Sequence, residues 1–300
     1  SQVITVQDTR APEFTAPGDL TIYSDENCEF DASVEVTGDV EDESDNCSEE
    51  LEATYSDLVT DGECEGEKII TRTWSLVDEC NNAADDQVQV ITVKDNIKPT
   101  FTAPGDITIY SDSKCEYDAS VEVTGDVEDE ADNCSTDIEA TYSDSVADGE
   151  CEGEKIITRT WSLVDDCNNS ADDQVQIITV EDNIAPTFKA PEDTVIYTDE
   201  ACAYDASVEF TGDVTDENDN CTDKPEATYS DSVADGECEG EKIITRTWSL
   251  VDDCGNEAAD QIQIITVEDN IAPTFTAPAD LTIYSDDECK YDASVEFTGE

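Results

Sequence analysis

The stretch KIITRTWSLVD occupies residues 68–78 and returns letter for letter at 155–165 and 242–252. Its apolar residues alternate, with Ile70, Trp74 and Leu76 falling on one face of an extended chain and Arg72 on that same face. Alternation of this kind is what a half-buried β-strand requires, because successive side chains leave a strand on opposite sides. Working outward, "DQVQVITV" at 86–93 continues the pattern, and so do Leu20 with Ile22, Val34 with Val36, and Leu51, Ala53 and Tyr55. Gly, Asp, Asn and Pro clusters separate these runs, which reads as short strands joined by turns with no helical stretch.

The recurrence extends well beyond that stretch. Pro12, Pro99, Pro186 and Pro273 are spaced by 87 residues, as are Trp74, Trp161 and Trp248, with no insertion breaking the register. Self-similarity at a fixed period marks a tandem array. The units expected from it are 8–94, 95–181 and 182–268, with a further unit begun at 269–300. Residues 1–7, "SQVITVQ", match the last strand of a preceding unit. A unit of this size with short, evenly spaced strands fits a two-sheet sandwich better than a barrel.

Composition narrows the function classes. The chain holds 79 Asp and Glu against 13 Lys and Arg, a formal charge of −66, with no His and no Met. Such a surface does not neutralise phosphates, so nucleic acid and anionic membrane surfaces are poor partners, and neither nucleic-acid binding nor membrane insertion of this segment is expected. Cations and basic surfaces suit it. The absence of His removes the usual base of a nucleophilic triad, and carboxylates this abundant make no single acidic pair informative, so the chain reads as non-enzymatic. Thirteen cysteines without His point to disulfides, and so to an oxidising, extracellular setting. No apolar run is long enough to span a bilayer.

The residues also resemble a known family. A Pro entering each unit, "DNC" midway, then "TRTWSLVD" followed by Cys and a terminal "ITV" strand, are similar to the hyalin-repeat (HYR-like) immunoglobulin-type module over all three complete units. The tandem acidic form is similar to the giant surface adhesins of gliding Bacteroidetes, which leave the cell by type IX secretion. The resemblance implies an all-β fold of tandem immunoglobulin-like β-sandwich repeats. One departure stands out: where the family has a Cys beside the entering Pro, "FTAPGD" has Ala.

Four cysteines per unit allow three pairings. In an immunoglobulin-like strand order, Cys47 and Cys80 lie in loops at one end of the sandwich and Cys28 and Cys64 in loops at the other. The pairs expected on that basis are Cys28 with Cys64 and Cys47 with Cys80, and by the same offsets Cys115 with Cys151, Cys134 with Cys167, Cys202 with Cys238 and Cys221 with Cys254.

The acidic loops are the candidate metal site. Calcium takes six to eight hard oxygen ligands, so converging loops of Asp and Asn suit it. The residues expected to hold it are Asp95, Asp129, Asp132 and Asp165, with their equivalents Asp8, Asp42, Asp45 and Asp78, and Asp182, Asp216, Asp219 and Asp252. Arg72, Arg159 and Arg246 read as structural, stacked on an aromatic ring or paired with a carboxylate.

The function this supports is a stalk or filament segment of a large cell-surface adhesin, stiffened by disulfides and calcium. Its partners are then the neighbouring repeats of the same chain, with a surface or glycan ligand bound elsewhere. The alternative is a cadherin-like binding module whose acidic repeats capture a basic or calcium-bridged partner directly.

Overall fold

The structure, a computed structural model, describes residues 1–294. The chain forms two compact units, Ser1–Asn183 and Ile184–Glu300. The first begins with β1 (Glu13–Thr15), β2 (Leu20–Tyr23), α1 (Val34–Thr37), β3 (Glu41–Ser44), β4 (Thr54–Asp61), β5 (Lys68–Ser75) and β6 (Gln87–Lys94). The same order follows in β7 (Thr100–Thr102), β8 (Ile107–Tyr110), α2 (Val121–Thr124), β9 (Glu128–Ala131), β10 (Thr141–Asp148), β11 (Lys155–Ser162) and β12 (Gln174–Glu181). The second unit carries it once more: β13 (Thr187–Lys189), β14 (Thr194–Tyr197), α3 (Val208–Thr211), β15 (Thr215–Asn218), β16 (Thr228–Asp235), β17 (Lys242–Ser249) and β18 (Gln261–Glu268).

Each copy is an all-β sandwich of immunoglobulin-like strand order. One sheet runs β2-β6-β5-β4 and the other is the antiparallel pair β1-β3. β2 lies parallel to β6, while β5 is antiparallel to both β4 and β6. The alternation in β5 places Ile70, Arg72 and Trp74 inward, each at most 1% exposed. Two apolar clusters result, Ile22, Ile70, Ile91 and Val93 towards one end and Phe14, Trp74 and Leu76 towards the other.

Between them lies a polar layer. Arg72 Nε and Nη2 donate to the two oxygens of Asp57 at 2.8 Å, Nη1 donates to Thr37 Oγ1 at 2.7 Å, and Nη2 also donates to the Ala32 carbonyl at 2.6 Å. The guanidinium lies 4.1 Å from the Tyr55 ring centre and 5.8 Å from that of Trp74. A buried charge is tolerated only when its donors are met; here the side-chain bonds from Asp57 raise the Arg72 pKa against the opposing effect of burial. The buried Gln89 donates to the carbonyls of Gly18 and Thr37 from the adjacent strand, completing the layer.

Some local readings change. Val34 and Val36 do not form a strand: Val34–Thr37 is one helical turn closed by Gly38, whose N–H donates to the Val34 carbonyl at 2.9 Å. The turn is favoured because Thr37, three residues after Val34, can then reach Arg72, whereas a strand would put them on opposite faces. Residues 1–7 form no strand, and Val3, Ile4 and Val6 are exposed, since a strand needs a hydrogen-bonded neighbour to satisfy its backbone. Residues 269–294 likewise hold no strand, and 295–300 of the expected further unit lie outside the described residues. Among the described residues no helix is long and apolar enough to cross a membrane.

Candidate functional site

Strand direction defines two ends for each copy. The chain enters at the upper end, beside the β3–β4 and β5–β6 connections, and β6 leaves at the lower end, beside the β2–α1 connection and the β4–β5 turn. In the first unit, the lower end of the first copy therefore meets the upper end of the second, and two kinds of chemistry converge there.

The first is covalent. Cys28, after β2, is bonded to Cys134 in the β9–β10 connection, with Cα atoms 5.0 Å apart. Cys64, in the β4–β5 turn, is bonded to Cys167 in the β11–β12 connection, with Cα atoms 5.2 Å apart. The expected pairs Cys28–Cys64 and Cys134–Cys167 are thereby corrected, and so are Cys47–Cys80 and Cys202–Cys238, whose cysteines are free. Each loop lies at the end of the sandwich where the strand order puts it, but loops sharing an end face the adjoining copy, and the sulfur within reach is across the junction. Cys115, Cys151, Cys221 and Cys254 are also in disulfides. Cys47, Cys80, Cys202, Cys238 and Cys289 are free, exposed thiols in this chain. Closing a loop of about 100 residues contributes on the order of 4–5 kcal/mol in the chain-entropy model.

A glycine makes one of these bonds possible. Gly66 sits at φ +86°, and a Cβ there would stand 2.5 Å from Cys134 Sγ and 3.2 Å from Cys28 Sγ. The equivalent Gly240 has nothing within 4 Å of that position.

The second kind of chemistry is ionic. One carboxylate oxygen each of Asp95, Asp132 and Asp165 lie within 4.8 Å of one another. Asp95 and Asp165 are only 7% and 5% exposed. Asp132 Oδ2 accepts the N–H groups of Cys134 and Ser135 at 2.9 and 2.8 Å, and this turns Oδ1 inward, where it is buried and meets no donor. Asn133 donates to Asp95 Oδ1 at 3.1 Å and to the Asp25 carbonyl of the first copy at 3.0 Å, leaving its own Oδ1 buried and unpartnered. Asp165 accepts the N–H and side-chain amide of Asn169 at 2.7 and 2.8 Å. Ser24 of the first copy donates to Asp95 Oδ1 at 3.3 Å. Among the described residues, no lysine or arginine pairs with these three carboxylates.

Clustered, desolvated carboxylates without a counter-charge repel one another, and oxygens without a donor are costly to bury. A hard divalent cation relieves both. The three carboxylates offer only oxygen donors, which fits calcium and not the thiolate and imidazole sets of zinc.

A single copy is enough to build the acidic cluster. At the upper end of the first copy, Asp8, Asp45 and Asp78 approach in the same way, with Asp8 Oδ2 and Asp45 Oδ1 buried and unpartnered. The N–H of Arg10 holds the Asp8 carboxyl below its usual pKa, against partial desolvation and with help from Asn46. In the second unit Asp219 and Asp252 lie equally close. Asp182 is buried and accepts from Ser111 Oγ at 3.2 Å.

Asp42, Asp129 and Asp216 are the expected ligands that do not join. Each sits on its short strand at φ between 56° and 58° and is exposed. The left-handed residue is a bulge that aims the side chain away from the cluster. Asn133 belongs to the loop of Asp and Asn that the sequence offered for calcium, whereas sequence reasoning passed over Gly66 and Glu65; Glu65 accepts the N–H of Thr136 across the junction at 2.9 Å.

No family model matches the chain, and no curated protein matches it. Among solved structures it is similar to Drosophila N-cadherin EC1–4 at 10% identity, over 88% of this chain and 76% of that one, with a TM-score of 0.31. It is similar to the titin I-band fragment I67–I69 at 8% identity, over 88% of this chain and 100% of that one, at 0.30. It is similar to the sialic acid binding region of a Streptococcus sanguinis SK1 adhesin at 10% identity, over 88% and 79%, at 0.19. At such scores the fold rests on the strand order and register above.

Proposed function

We propose that this chain is a structural, non-enzymatic segment of an extracellular tether, the hyalin-repeat-type stalk of a large surface adhesin such as gliding bacteria export by type IX secretion. The first two copies of the sandwich are joined by a pair of disulfides and a calcium ion held by Asp95, Asp132 and Asp165 with the Asn133 carbonyl. By the same register, Asp8, Asp45 and Asp78 hold a second ion. Disulfides place the chain outside the cell.

The observation that carries this reading is the convergence, at one junction, of two bonds between copies with buried carboxylates that have no counter-charge. Calcium bound only by the folded chain stabilises it by mass action. Isothermal titration of the oxidised chain with calcium at fixed ionic strength is the test. Asp132→Asn is expected to weaken the junction site by at least about tenfold, since it removes one charge from the ligand set. Heat indistinguishable from that given by sodium at equal ionic strength would show that the carboxylates are solvated surface, and the calcium reading would be abandoned.

A further inference from the structure

The two disulfides do more than hold neighbours together, because of where they fall along the chain. Cys28 lies just after β2, early in the first copy, and Cys134 lies just after β9, midway through the second; 106 residues separate them. Cys64 and Cys167 span 103 residues over much of the same interval. A pull on the two ends of the chain reaches Cys28 from one side and Cys134 from the other. The shortest covalent path between them is the S–S bond. Everything from α1 through β6 and from β7 through β9 then hangs beside the taut path.

We propose that this pair of bonds is a doubled mechanical bypass, which carries tension across the junction of the two copies and removes the residues between from the extensible length. Strands β3 to β6, which hold Trp74 and the Arg72 layer, are shielded from the pull, and so are the aspartates that enter the junction from β6 and β9. The bonds act in parallel. With Cys28–Cys134 opened, Cys64–Cys167 still withholds 103 residues, so the loss of one bond leaves the tether almost unchanged in length.

The inference deepens the tether reading, on which it rests for its biological purpose alone. At ~3.3–3.6 Å per extended residue, the bypassed segment amounts to roughly 350–380 Å.

The experiment is single-molecule stretching of the full chain between handles at its two termini. In a background where the nine other cysteines are serine, only these two bonds can form. Both bonds together are expected to shorten the fully stretched chain by about 370 Å relative to the variant lacking all four cysteines. Cys28→Ser with Cys134→Ser should restore only about 10 Å of that, and Cys64→Ser with Cys167→Ser none. As a second measurement that needs no substitution, reducing the unaltered chain should lengthen it by at least about 350 Å. A chain that reaches full length with both bonds formed, or that releases the whole increment when one bond is removed, would overturn the bypass. Calcium titration on the same protein reads the metal site separately, so failure of one reading does not pass for failure of the other.

Discussion

At the residue scale, two positions do work that no neighbouring residue type could do. Arg72 is 1% exposed and meets Asp57, Thr37 and the Ala32 carbonyl, tying β5 to β4, to α1 and to the chain before it. Lysine cannot reproduce that fork. Arg72→Met is expected to cost about 2–4 kcal/mol in urea unfolding, because Asp57 is left without its partner but keeps partial access to water. A cost below about 1 kcal/mol would mean that the layer is held by Gln89 and the apolar clusters instead. Gly66 is the second position. Gly66→Ala puts a methyl group 2.5 Å from Cys134 Sγ at a φ of +86°. Non-reducing peptide mapping should then find Cys28–Cys134 largely lost and Cys64–Cys167 kept, whereas Gly240→Ala, with open space around it, leaves the disulfides as they are. Equal effects from the two substitutions would refute the close-approach argument.

At the element scale, the one-turn helix α1 connects the two sheets and presents Thr37 to Arg72. It ends at Gly38, which has φ +88°, and a Cβ there would stand 3.3 Å from Pro17 Cβ. Both the left-handed backbone and the proline ring oppose a side chain. Gly38→Ala is expected to destabilise the copy by about 1–2 kcal/mol, read as a lower urea midpoint with an unchanged slope. Alternation of apolar residues alone could not distinguish this turn from a strand, since Val34-Glu35-Val36 is short enough to satisfy either pattern. What decided it was a partner distant in sequence, the guanidinium that Thr37 must reach. The β5 strand was legible for the opposite reason. Eight residues of strict alternation, with Trp74 and Ile70 on one face, admit only one orientation against a core.

At the scale of the whole molecule, charge and hydrogen bonding pull stability in opposite directions as pH changes. The N–H of Ser33 holds Asp31 below the usual carboxylate range, the N–H of Glu116 does the same for Asp112, and the Ser120 side chain for Asp118. A depressed folded pKa means that the unfolded chain takes up the proton first. The stability from these groups is therefore complete above their ordinary value near 3.9 and is lost as pH falls through the lower folded value. Against this, a formal charge of −66 makes the folded chain repel itself at neutral pH. In chelator at low salt, Tm is expected to rise as pH falls from 7 to about 4.5 and to drop below about pH 3.5. A steady fall from pH 7 downward would show that self-repulsion is not what limits stability. Added calcium should flatten the rising limb, because it neutralises the same carboxylates by binding.

Strands β2, β5 and β6, the period of 87 residues and the loops carrying Asp95, Asp132 and Asp165 were readable from local pattern, because alternation and turn chemistry are short-range and the repeat states them three times over. Even the end of the sandwich on which each cysteine lies followed from strand order. The identity of each cysteine's partner did not. A disulfide needs Cα atoms within about 7 Å, and whether a loop finds such a neighbour beside it or across a junction depends on how one copy is seated on the next. That seating is a tertiary fact, settled by Gly66, Glu65 and Asn133 making their contacts across the interface, and it turned the expected Cys28–Cys64 and Cys134–Cys167 staples into two bonds between copies.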